Sequence, residues 1–188
     1  MQTLRKAIVL FLALTVVVGI LYPLAVTGLA MLVFPEQSSG SLIYDRDGRL
    51  AGSRLIGQPF ADPGHFWSRP SATSDPPYNS LASGGSNLGP TNADLLRQFR
   101  ERVEKLRASG MQGPIPADLV MASGSGLDPD ITLEAALAQI PRIARVRHLP
   151  EAELRGLVLR QARGKPWNPL GVPRVNVLEL NLRLGTLR

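Results

Sequence analysis

The sequence predicts an α+β protein, with one transmembrane helix at the N-terminus and a single mixed α/β domain beyond it. Residues 7–34 contain no charged side chain, which is typical of a membrane span. The rest of the chain shows short strand-like patterns at both ends and longer patterns of helical spacing between them. These patterns do not alternate in the strand–helix–strand order of a parallel sheet, so we expect the α+β class.

The uncharged segment is long enough to cross a bilayer. At about 1.5 Å per residue, residues 7–34 would form a helix of about 42 Å, against about 30 Å of hydrocarbon. A signal peptide has an apolar stretch of only about 7 to 15 residues, so we expect an uncleaved span. The alternative is a cleaved signal peptide, with Gly28 and Ala30 as the small residues before the cut.

A proline lies inside the predicted span. Because proline has no N–H group, it removes one helical hydrogen bond and can kink the helix. No GxxxG motif marks a helix-packing face in this segment. The residues that we assign to the face toward membrane partners are Gly19, Tyr22, Pro23 and Thr27.

The charges on either side of the span predict its orientation. Arg5 and Lys6 precede the span, whereas no basic cluster follows it. The positive-inside rule then places residues 1–6 in the cytoplasm, residues 7–34 in the membrane and residues 35–188 outside. In a bacterium with two membranes, we therefore expect a single-pass protein of the inner membrane with a periplasmic C-terminal domain.

The domain should begin with a β-hairpin. Residues 41–44 and 49–56 have strand-like composition, and Asp45-Arg46-Asp47-Gly48 between them is typical of a tight turn. Residues 57–90 follow as a long loop rich in Pro, Gly, Ser and Asn. We expect this loop to be ordered, because it carries aromatic side chains that can pack, namely Phe60, Phe66, Trp67 and Tyr78.

A first helix should follow the long loop. It begins at Thr91, with Asp94 at capping-box spacing, and ends at Gly110. Residues 115–122 fit a short helix and a strand equally well. Residues 123–130 contain Gly and Asp and predict a loop.

Two more helices and a final strand complete the prediction. Apolar residues recur at helical spacing over residues 132–147, where Pro141 should kink or split the helix. Pro150 fits the first turn of the next helix, which ends near Gly164. Residues 175–180 alternate in the manner of a strand.

The composition argues against several classes of catalytic site. The chain has no cysteine, so disulfides, thiolate metal sites and a catalytic thiol are impossible. His65 and His148 are the only histidines, and neither stands at metal-ligand spacing. Residues 123–126 resemble a serine nucleophile elbow only loosely, because glycine is absent where the G-x-S-x-G motif requires it. We therefore expect no metal site, no catalytic residue and no self-sufficient enzyme.

The basic charge does not predict nucleic-acid binding. The formal net charge is +6 and the sequence pI is about 10.5. The arginines are scattered, and no stretch interleaves aromatic and basic residues as modules that bind single strands do. We interpret the charge as solvated surface.

Two Gly/Ser loops are candidates for ligand contact. Residues 83–87 read Ser-Gly-Gly-Ser-Asn, and residues 123–126 read Ser-Gly-Ser-Gly. Both precede predicted helices, and backbone N–H groups at a helix N-terminus can hold an anion. Neither loop has the Lys-Ser/Thr pair of a P-loop, so a self-contained ATP site is not expected. The alternative is that both are plain turns.

Two further side chains have open roles. Arg69 fits either an ion pair with a partner's carboxylate or an internal salt bridge. Gln139 should face either a partner or solvent. The complete set of candidate partner-interface or nucleotide-related residues is Arg69, Ser71, Tyr78, Asn79, Ser83, Gly84, Gly85, Ser86, Asn87, Ser123, Gly124, Ser125, Gly126, Asp128 and Gln139.

An ordered series of motifs spans nearly the whole chain. The motifs are Tyr22-Pro23, Gly40-Ser41-Leu42-Ile43, Leu55-Ile56-Gly57-Gln58, Arg69-Pro70-Ser71-Ala72-Thr73, Tyr78-Asn79, Ser83-Gly84-Gly85-Ser86-Asn87-Leu88-Gly89-Pro90, Ile115-Pro116-Ala117-Asp118-Leu119-Val120, Ala122-Ser123-Gly124-Ser125-Gly126-Leu127-Asp128-Pro129, Gln139-Ile140-Pro141-Arg142 and Val175-Asn176-Val177-Leu178-Glu179-Leu180-Asn181. Together they closely resemble the C subunit of the bacterial Kdp potassium-transporting ATPase. Met121 and Asp130 depart from the usual residues of that family.

The resemblance implies a function in a complex. The family's complex couples ATP hydrolysis by a P-type ATPase subunit to potassium uptake through a channel-like subunit, and it also contains a small single-span subunit. The C subunit is a non-catalytic accessory subunit that is needed for assembly. It is also described as a catalytic chaperone, which raises the ATP affinity of the ATPase subunit through a ternary complex and binds no cofactor alone.

The predicted orientation conflicts with direct contact to ATP, which is hydrolysed in the cytoplasm. A domain outside the membrane would instead cap the outer face of the channel-like subunit, and any effect on ATP affinity would be allosteric. The alternative to this whole interpretation is a free-standing, membrane-tethered periplasmic binding domain or hydrolase.

Overall fold

The computed structural model describes residues 1–164 and 170–187, and the chain forms two compact units, Met1–Leu42 and Ile43–Arg188. Helices make up most of the first unit. They are α1 (Gln2–Val16), a π-helical turn (Val17–Leu21), α2 (Tyr22–Val33) and the short α3 (Pro35–Ser38). The helical stretch Gln2–Val33 reaches a mean hydropathy of 2.6 with none of it buried, and it is long and apolar enough to cross a membrane.

The helix adjusts its hydrogen bonding just before Pro23. The N–H group of Tyr22 donates to the carbonyl of Val17, five residues back, which is the pattern of a π-helical turn. Since Pro23 cannot donate, the wider turn lies where the regular ladder would be interrupted. The expected irregularity at Tyr22-Pro23 is therefore found as a π turn within an otherwise continuous helix. The sides of the membrane on which residues 1–6 and 35–188 lie stay predictions.

The core of the second unit is a short antiparallel ribbon covered by three helices. Strand β3 (Asp130–Thr132) pairs with β4 (Arg174–Asn176), and Ile131 stands opposite Val175. Both of these side chains are buried. The covering helices are α5 (Leu133–Arg147), α6 (Glu151–Gln161) and α7 (Val177–Leu184).

The predicted hairpin is present, with a shorter second strand than expected. Strands β1 (Leu42–Tyr44) and β2 (Leu50–Ser53) form a two-stranded sheet. The carboxylate of Asp45 accepts hydrogen bonds from the N–H groups of Asp47 and Arg49 in the turn, at 2.9 and 2.8 Å. An aspartate in this position stabilises the turn by bonding to its own backbone.

Helix α4 (Ala93–Ala108) begins two residues later than predicted and lies largely on the surface. Its cap is Asn92, whose side chain accepts from the N–H of Asp94 at 2.8 Å, so the predicted cap at Thr91 was wrong. Gly110 takes a φ of +92° just after the helix, as a C-terminal glycine does. Leu106 is the one buried residue of this helix.

The next two helices confirm the predicted pattern with small corrections. Helix α5 is capped by the side chain of Thr132 and continues through Pro141, so of the expected kink or split the helix shows no split. Pro150 is the N-cap of α6 and not a residue of its first turn, and the helix ends at Gln161. The apolar face of α6 is buried as predicted, through Leu154, Leu157 and Val158.

The predicted final strand was mostly wrong. Only residues 174–176 are extended, and a helix starts at Val177. The reason is a cap that the alternating apolar pattern concealed: the side chain of Asn176 accepts from the N–H of Glu179 at 3.1 Å. The partner strand β3, at the end of the predicted loop 123–130, was missed. Ala117–Leu119, within the ambiguous segment 115–122, is a single turn of 3₁₀ helix.

Candidate functional site

The two Gly/Ser loops lie against each other. The hydroxyl of Ser83 and the N–H of Gly84 both donate to the carbonyl of Ser125, at 3.0 and 2.9 Å. A Cβ atom on Gly126 would come within 2.7 Å of the carbonyl oxygen of Gly84, and one on Gly85 within 3.1 Å of the carbonyl oxygen of Gly124. Two loops that are about forty residues apart therefore form one feature. We call residues 83–87 and 123–126 the paired loops.

Internal hydrogen bonds occupy several of the backbone donors that these loops could offer to an anion. The N–H of Gly84 is bonded to Ser125, and the N–H of Gly126 is bonded to the hydroxyl of Ser123 at 2.9 Å. The N–H of Leu127 donates to the hydroxyl of Ser125 at 3.1 Å. Donors that are already paired inside the protein cannot also cradle a phosphate. The geometry fits a packing contact.

The second loop does not lead directly into a helix, contrary to our expectation. Residues 127–129 and strand β3 separate it from α5, and the first turn of α5 has its own cap at Thr132. In the first loop, Asn87 has a φ of +53°, while Gly85 and Ser86 line a cleft beside α4. The idea that both loops stand at helix N-termini was therefore wrong for residues 123–126.

Arg69 makes an internal ion pair. Its Nη1 atom lies 2.9 Å from Oδ2 of Asp128, and both side chains are partly exposed. The hydroxyl of Tyr78 donates to the backbone carbonyl of Arg69. Burial raises the pKa of that hydroxyl, partly opposed by a hydrogen bond with Ser68. Of the two roles that we considered for Arg69, the internal pair is the one found in this chain.

Ser71 connects the loop that contains Arg69 and Tyr78 to the paired loops, whereas Asn79 is bonded within its own loop. The hydroxyl of Ser71 donates to the carbonyl of Gly126 at 2.8 Å and accepts from the N–H of Tyr78 at 2.9 Å. The N–H of Asn79 donates to the hydroxyl of Thr73 at 3.1 Å. The structure therefore brings together the predicted residues of the segments 69–87 and 123–128.

Gln139 lies apart from that group and is fully buried. Its Oε1 atom accepts from the backbone N–H of Trp67 at 2.7 Å, and its Nε2 atom donates to the carbonyl of the same residue at 3.1 Å. Because 0% of Gln139 is exposed, the expectation that it faces a partner or solvent was wrong. It is an internal clamp on the loop backbone.

A second amide clamp holds the neighbouring residue. Asn181 on α7 accepts from the N–H of Phe66 at 2.8 Å and donates to its carbonyl at 2.9 Å. Sequence reasoning gave no role to Asn181, although it lies at helical spacing among the apolar residues of α7. A polar residue on an otherwise apolar helix face is the signal that could have found both clamps.

Arg142 completes the attachment of this loop to α5. It donates to the carbonyls of Pro63 and His65 and, at 2.8 Å, to Oε1 of Gln139. Its guanidinium lies 4.0 Å from the centroid of the Trp67 ring. Burial lowers the pKa of Arg142 to about 10, so it remains protonated at neutral pH and needs these acceptors.

The loop that contains Phe66 and Trp67, which these side chains hold in place, forms one wall of a cavity of about 340 Å³. Its aromatic lining consists of Phe60, Trp67 and Tyr78, and its charged lining consists of Arg69, Arg102 and Lys105. We call this cavity the aromatic pocket. Its volume is at the lower end of the range of about 300 to 1,000 Å³ that is usual for ligand sites. Sequence reasoning did not find it, because its walls come from a loop and a helix that only the fold brings together.

No side-chain arrangement for catalysis stands out in the described part of the chain. Within residues 1–164 and 170–187, there is no group of three or more His, Asp or Glu side chains suited to a metal. His65 Nε2 lies 3.2 Å from Nη2 of Arg147, and His148 ends α5 in the left-handed conformation. The predicted membrane face of Gly19, Tyr22, Pro23 and Thr27 lies in the first unit and stays a prediction.

Comparison with known proteins identifies the family. The model of the family described as "KdpC: K+-transporting ATPase, c chain" matches residues 4–186. Proteins named "Potassium-transporting ATPase KdpC subunit" are similar over almost their full lengths. The one from Polaromonas naphthalenivorans is 55% identical over 98% of this chain and 95% of its own. The one from Methylobacterium nodulans is 53% identical over 100% and 98%, and the one from Citrifermentans bemidjiense is 51% identical over 98% and 97%.

With a family match that extends from residue 4 to residue 186 and relatives that align end to end, this chain belongs to the KdpC family, the c chain of K+-transporting ATPases.

Proposed function

We propose that this chain is a non-catalytic accessory subunit of an ATP-driven potassium uptake complex and that the complex needs it for assembly. The family match over residues 4–186 is the observation that carries this proposal. The apolar helical stretch Gln2–Val33 supports attachment to the membrane, where such a complex works. The partners would be the channel-like subunit, the P-type ATPase subunit and a small single-span subunit.

Extraction in mild detergent tests the assembly. An affinity-tagged chain should recover the other subunits together with potassium-stimulated ATP hydrolysis. Recovery of the chain alone, under conditions in which the other subunits remain soluble and bound to each other, would contradict the proposal. That result would favour a free-standing tethered binding domain or hydrolase, for which the aromatic pocket would be the first site to test.

The second unit should lie outside the cytoplasmic membrane and cap the outer face of the channel-like subunit. The support is the position of Arg5 and Lys6 before the span. The chain has no native cysteine, so single cysteines can be placed at Thr3 and at Leu81, whose side chain is 96% exposed. A membrane-impermeant thiol reagent should label position 81 in cells with a permeabilised outer membrane, and position 3 only after lysis. The reverse pattern would overturn the orientation.

Any effect on ATP should reach the ATPase subunit through the membrane subunits. Such a catalytic chaperone would raise the ATP affinity of its partner without holding the nucleotide itself. The support is that Ser83 and Gly84 donate to the carbonyl of Ser125, and that the N–H of Gly126 donates to the hydroxyl of Ser123.

Substitution of the loop serines tests this point. Ser83→Ala and Ser125→Ala should each leave nucleotide-dependent turnover of the assembled complex within about threefold, because these hydroxyls would not contact the reacting groups. Turnover is measured on purified complex, with subunit content as the control. Complete loss of turnover in a fully assembled complex would demonstrate direct contact with the nucleotide.

A further inference from the structure

The charged lining of the aromatic pocket is entirely cationic. Arg102 and Lys105 come from α4, and Arg69 comes from the loop opposite. Among the described residues that line the cavity, none is a carboxylate. A half-enclosed site with one sign of charge and apolar walls concentrates its potential, because walls of low dielectric constant focus the electric field.

Two of these cations have no carboxylate partner. Arg102 donates to the carbonyl of Val120 at 2.9 Å and to Oε1 of Gln98 at 3.0 Å. Burial lowers the pKa of Arg102, and the charge of Glu101 partly opposes this effect. Lys105 Nζ lies 5.5 Å from the centroid of the Trp67 ring. Over residues 1–164 and 170–187, neither Arg102 nor Lys105 forms an ion pair, although other arginines of this domain do.

The aromatic wall is fixed before anything binds. Gln139 holds both backbone polar groups of Trp67, and the indole N–H donates to the carbonyl of Asp62 at 2.9 Å. Arg142 lies against the same ring. A ring that is already ordered loses little conformational entropy on binding, which is typical of the anchor position of a protein interface.

The lining disfavours phosphate as the bound group. Pro59, Pro70 and Pro77 line the cavity, and proline has no N–H to donate. The nests that hold phosphate are built from successive backbone N–H groups. A carboxylate carried on an apolar segment fits this lining better. Arg102 and Lys105 can pair with the carboxylate, and the aromatic rings can pack against the apolar side chains next to it.

We propose that the aromatic pocket receives an acidic segment of a partner subunit. An apolar or prolyl side chain of that segment packs on Phe60 and Trp67, and an adjacent carboxylate pairs with Lys105 and Arg102. The occupant is a polypeptide of the same complex, so this inference rests on the proposed function.

Charge variants on α4 test the ion pairing in the intact complex. Lys105→Glu should weaken retention of the chain by at least about tenfold, because it places like charges together, and Lys105→Met should weaken it by about threefold. Arg100→Glu and Arg100→Met are the matched controls, since Arg100 is an exposed residue of the same helix that does not line the pocket. Retention is measured as the fraction of chain that remains bound to the other subunits over a series of salt concentrations.

A photoreactive residue identifies the occupant. With p-benzoylphenylalanine at Phe60, light should produce an adduct with a partner subunit on a peptide that contains Asp or Glu. If wild-type chain is retained but Lys105→Glu behaves like Arg100→Glu, the pocket is not the docking site. An adduct that is confined to a second copy of this chain, or one that excess ATP abolishes, would also overturn the inference. Failure of the wild-type chain to bind any subunit would instead refute the proposed function itself.

Discussion

Two buried amides and one buried arginine hold the loop that carries Trp67. Gln139 and Asn181 each pair with both backbone polar groups of one loop residue, as a neighbouring strand would. Beside them, Arg142 donates to the carbonyl of His65 and to Oε1 of Gln139. The loop has no strand partner of its own in this segment, so these side chains provide the hydrogen bonds that its backbone requires.

Removal of one amide should therefore be costly. Gln139→Ala leaves the N–H and the carbonyl of Trp67 without partners at a partly buried position, and we expect it to lower the free energy of unfolding by about 2 to 4 kcal/mol. Gln112→Ala, at an exposed position, should change it by less than about 0.5 kcal/mol. Urea unfolding of the full chain in detergent, followed by circular dichroism, measures both. Equal effects of the two variants would contradict the clamp.

The ion pair between Arg69 and Asp128 should contribute much less. Both side chains are partly exposed, so a double-mutant cycle with Arg69→Gln and Asp128→Asn should give a coupling of about 0.5 to 1 kcal/mol. The coupling should fall further at high salt. Unfolding of the four variants at low and high salt provides the measurement, and a coupling that is unaffected by salt would be inconsistent with a partly exposed pair.

The sequence was a poor guide to the burial of individual polar residues. Gln139 and Arg142 stand among Ala136, Ile140 and Ile143, and all of them are buried on α5. Periodicity predicts which face of a helix is buried, but the partner of a polar residue on that face comes from a loop about seventy residues away. Without knowledge of that loop, an exposed or partner-facing role was the simpler expectation for Gln139.

Among the elements, the paired loops depend on close approach of two backbones. Gly126 has a φ of +67°, and a Cβ there would meet the carbonyl oxygen of Gly84 and the side chain of Thr73, each at 2.7 Å. The contact is possible because Gly126 has no side chain.

The variant Gly126→Ala should disrupt this contact. Steric overlap and the left-handed backbone together should lower the free energy of unfolding by about 2 kcal/mol or more. Gly124→Ala is the matched control, because a Cβ on Gly124 would meet nothing within 4 Å and its φ is not positive. Unfolding midpoints of the two variants are compared in detergent. A Gly124→Ala variant that is as unstable as Gly126→Ala would show that the loops do not depend on backbone contact.

The elements that could be predicted are those whose signals lie within their own stretch of sequence. The hairpin, α4, α5 and α6 carry local turn residues, caps or long helical periodicity, and all four were found. Strand β3 is three residues long and owes its conformation to its distant partner β4, so no local pattern could reveal it. The start of α7 was missed because Val175 and Val177, on either side of the polar Asn176, give the apolar–polar alternation of a strand, which hides the helix cap at Asn176.

For the whole molecule, the distribution of charge around the apolar helix should control orientation. In a variant with Arg5→Glu, Lys6→Glu, Glu36→Lys and Gln37→Lys, the basic residues follow the span and do not precede it. We expect a substantial fraction of these chains to retain the second unit in the cytoplasm. Labelling of a cysteine at position 81 with the impermeant reagent measures that fraction. Full labelling in intact spheroplasts, equal to that of the parent chain, would mean that other features set the topology.

Membership of the family followed from motifs spread along the chain, whereas the aromatic pocket did not. The motifs are contiguous in sequence and can be recognised without a fold. The pocket needs α4 and the loop around Trp67 to meet, and those segments lie about forty residues apart with no pattern linking them.

Trp67 can serve as an intrinsic fluorescence probe, because two cationic side chains lie close to its ring. The chain has two tryptophans, so a Trp167→Phe variant would contain a single indole, at the wall of the aromatic pocket. Indole emission shifts with nearby charge and with the removal of water, and Lys105 and Arg142 lie 5.5 and 4.0 Å from the ring centroid. A difference in the emission wavelength of Trp67 between the isolated chain and the reconstituted complex would therefore report subunit association in real time, without any attached dye.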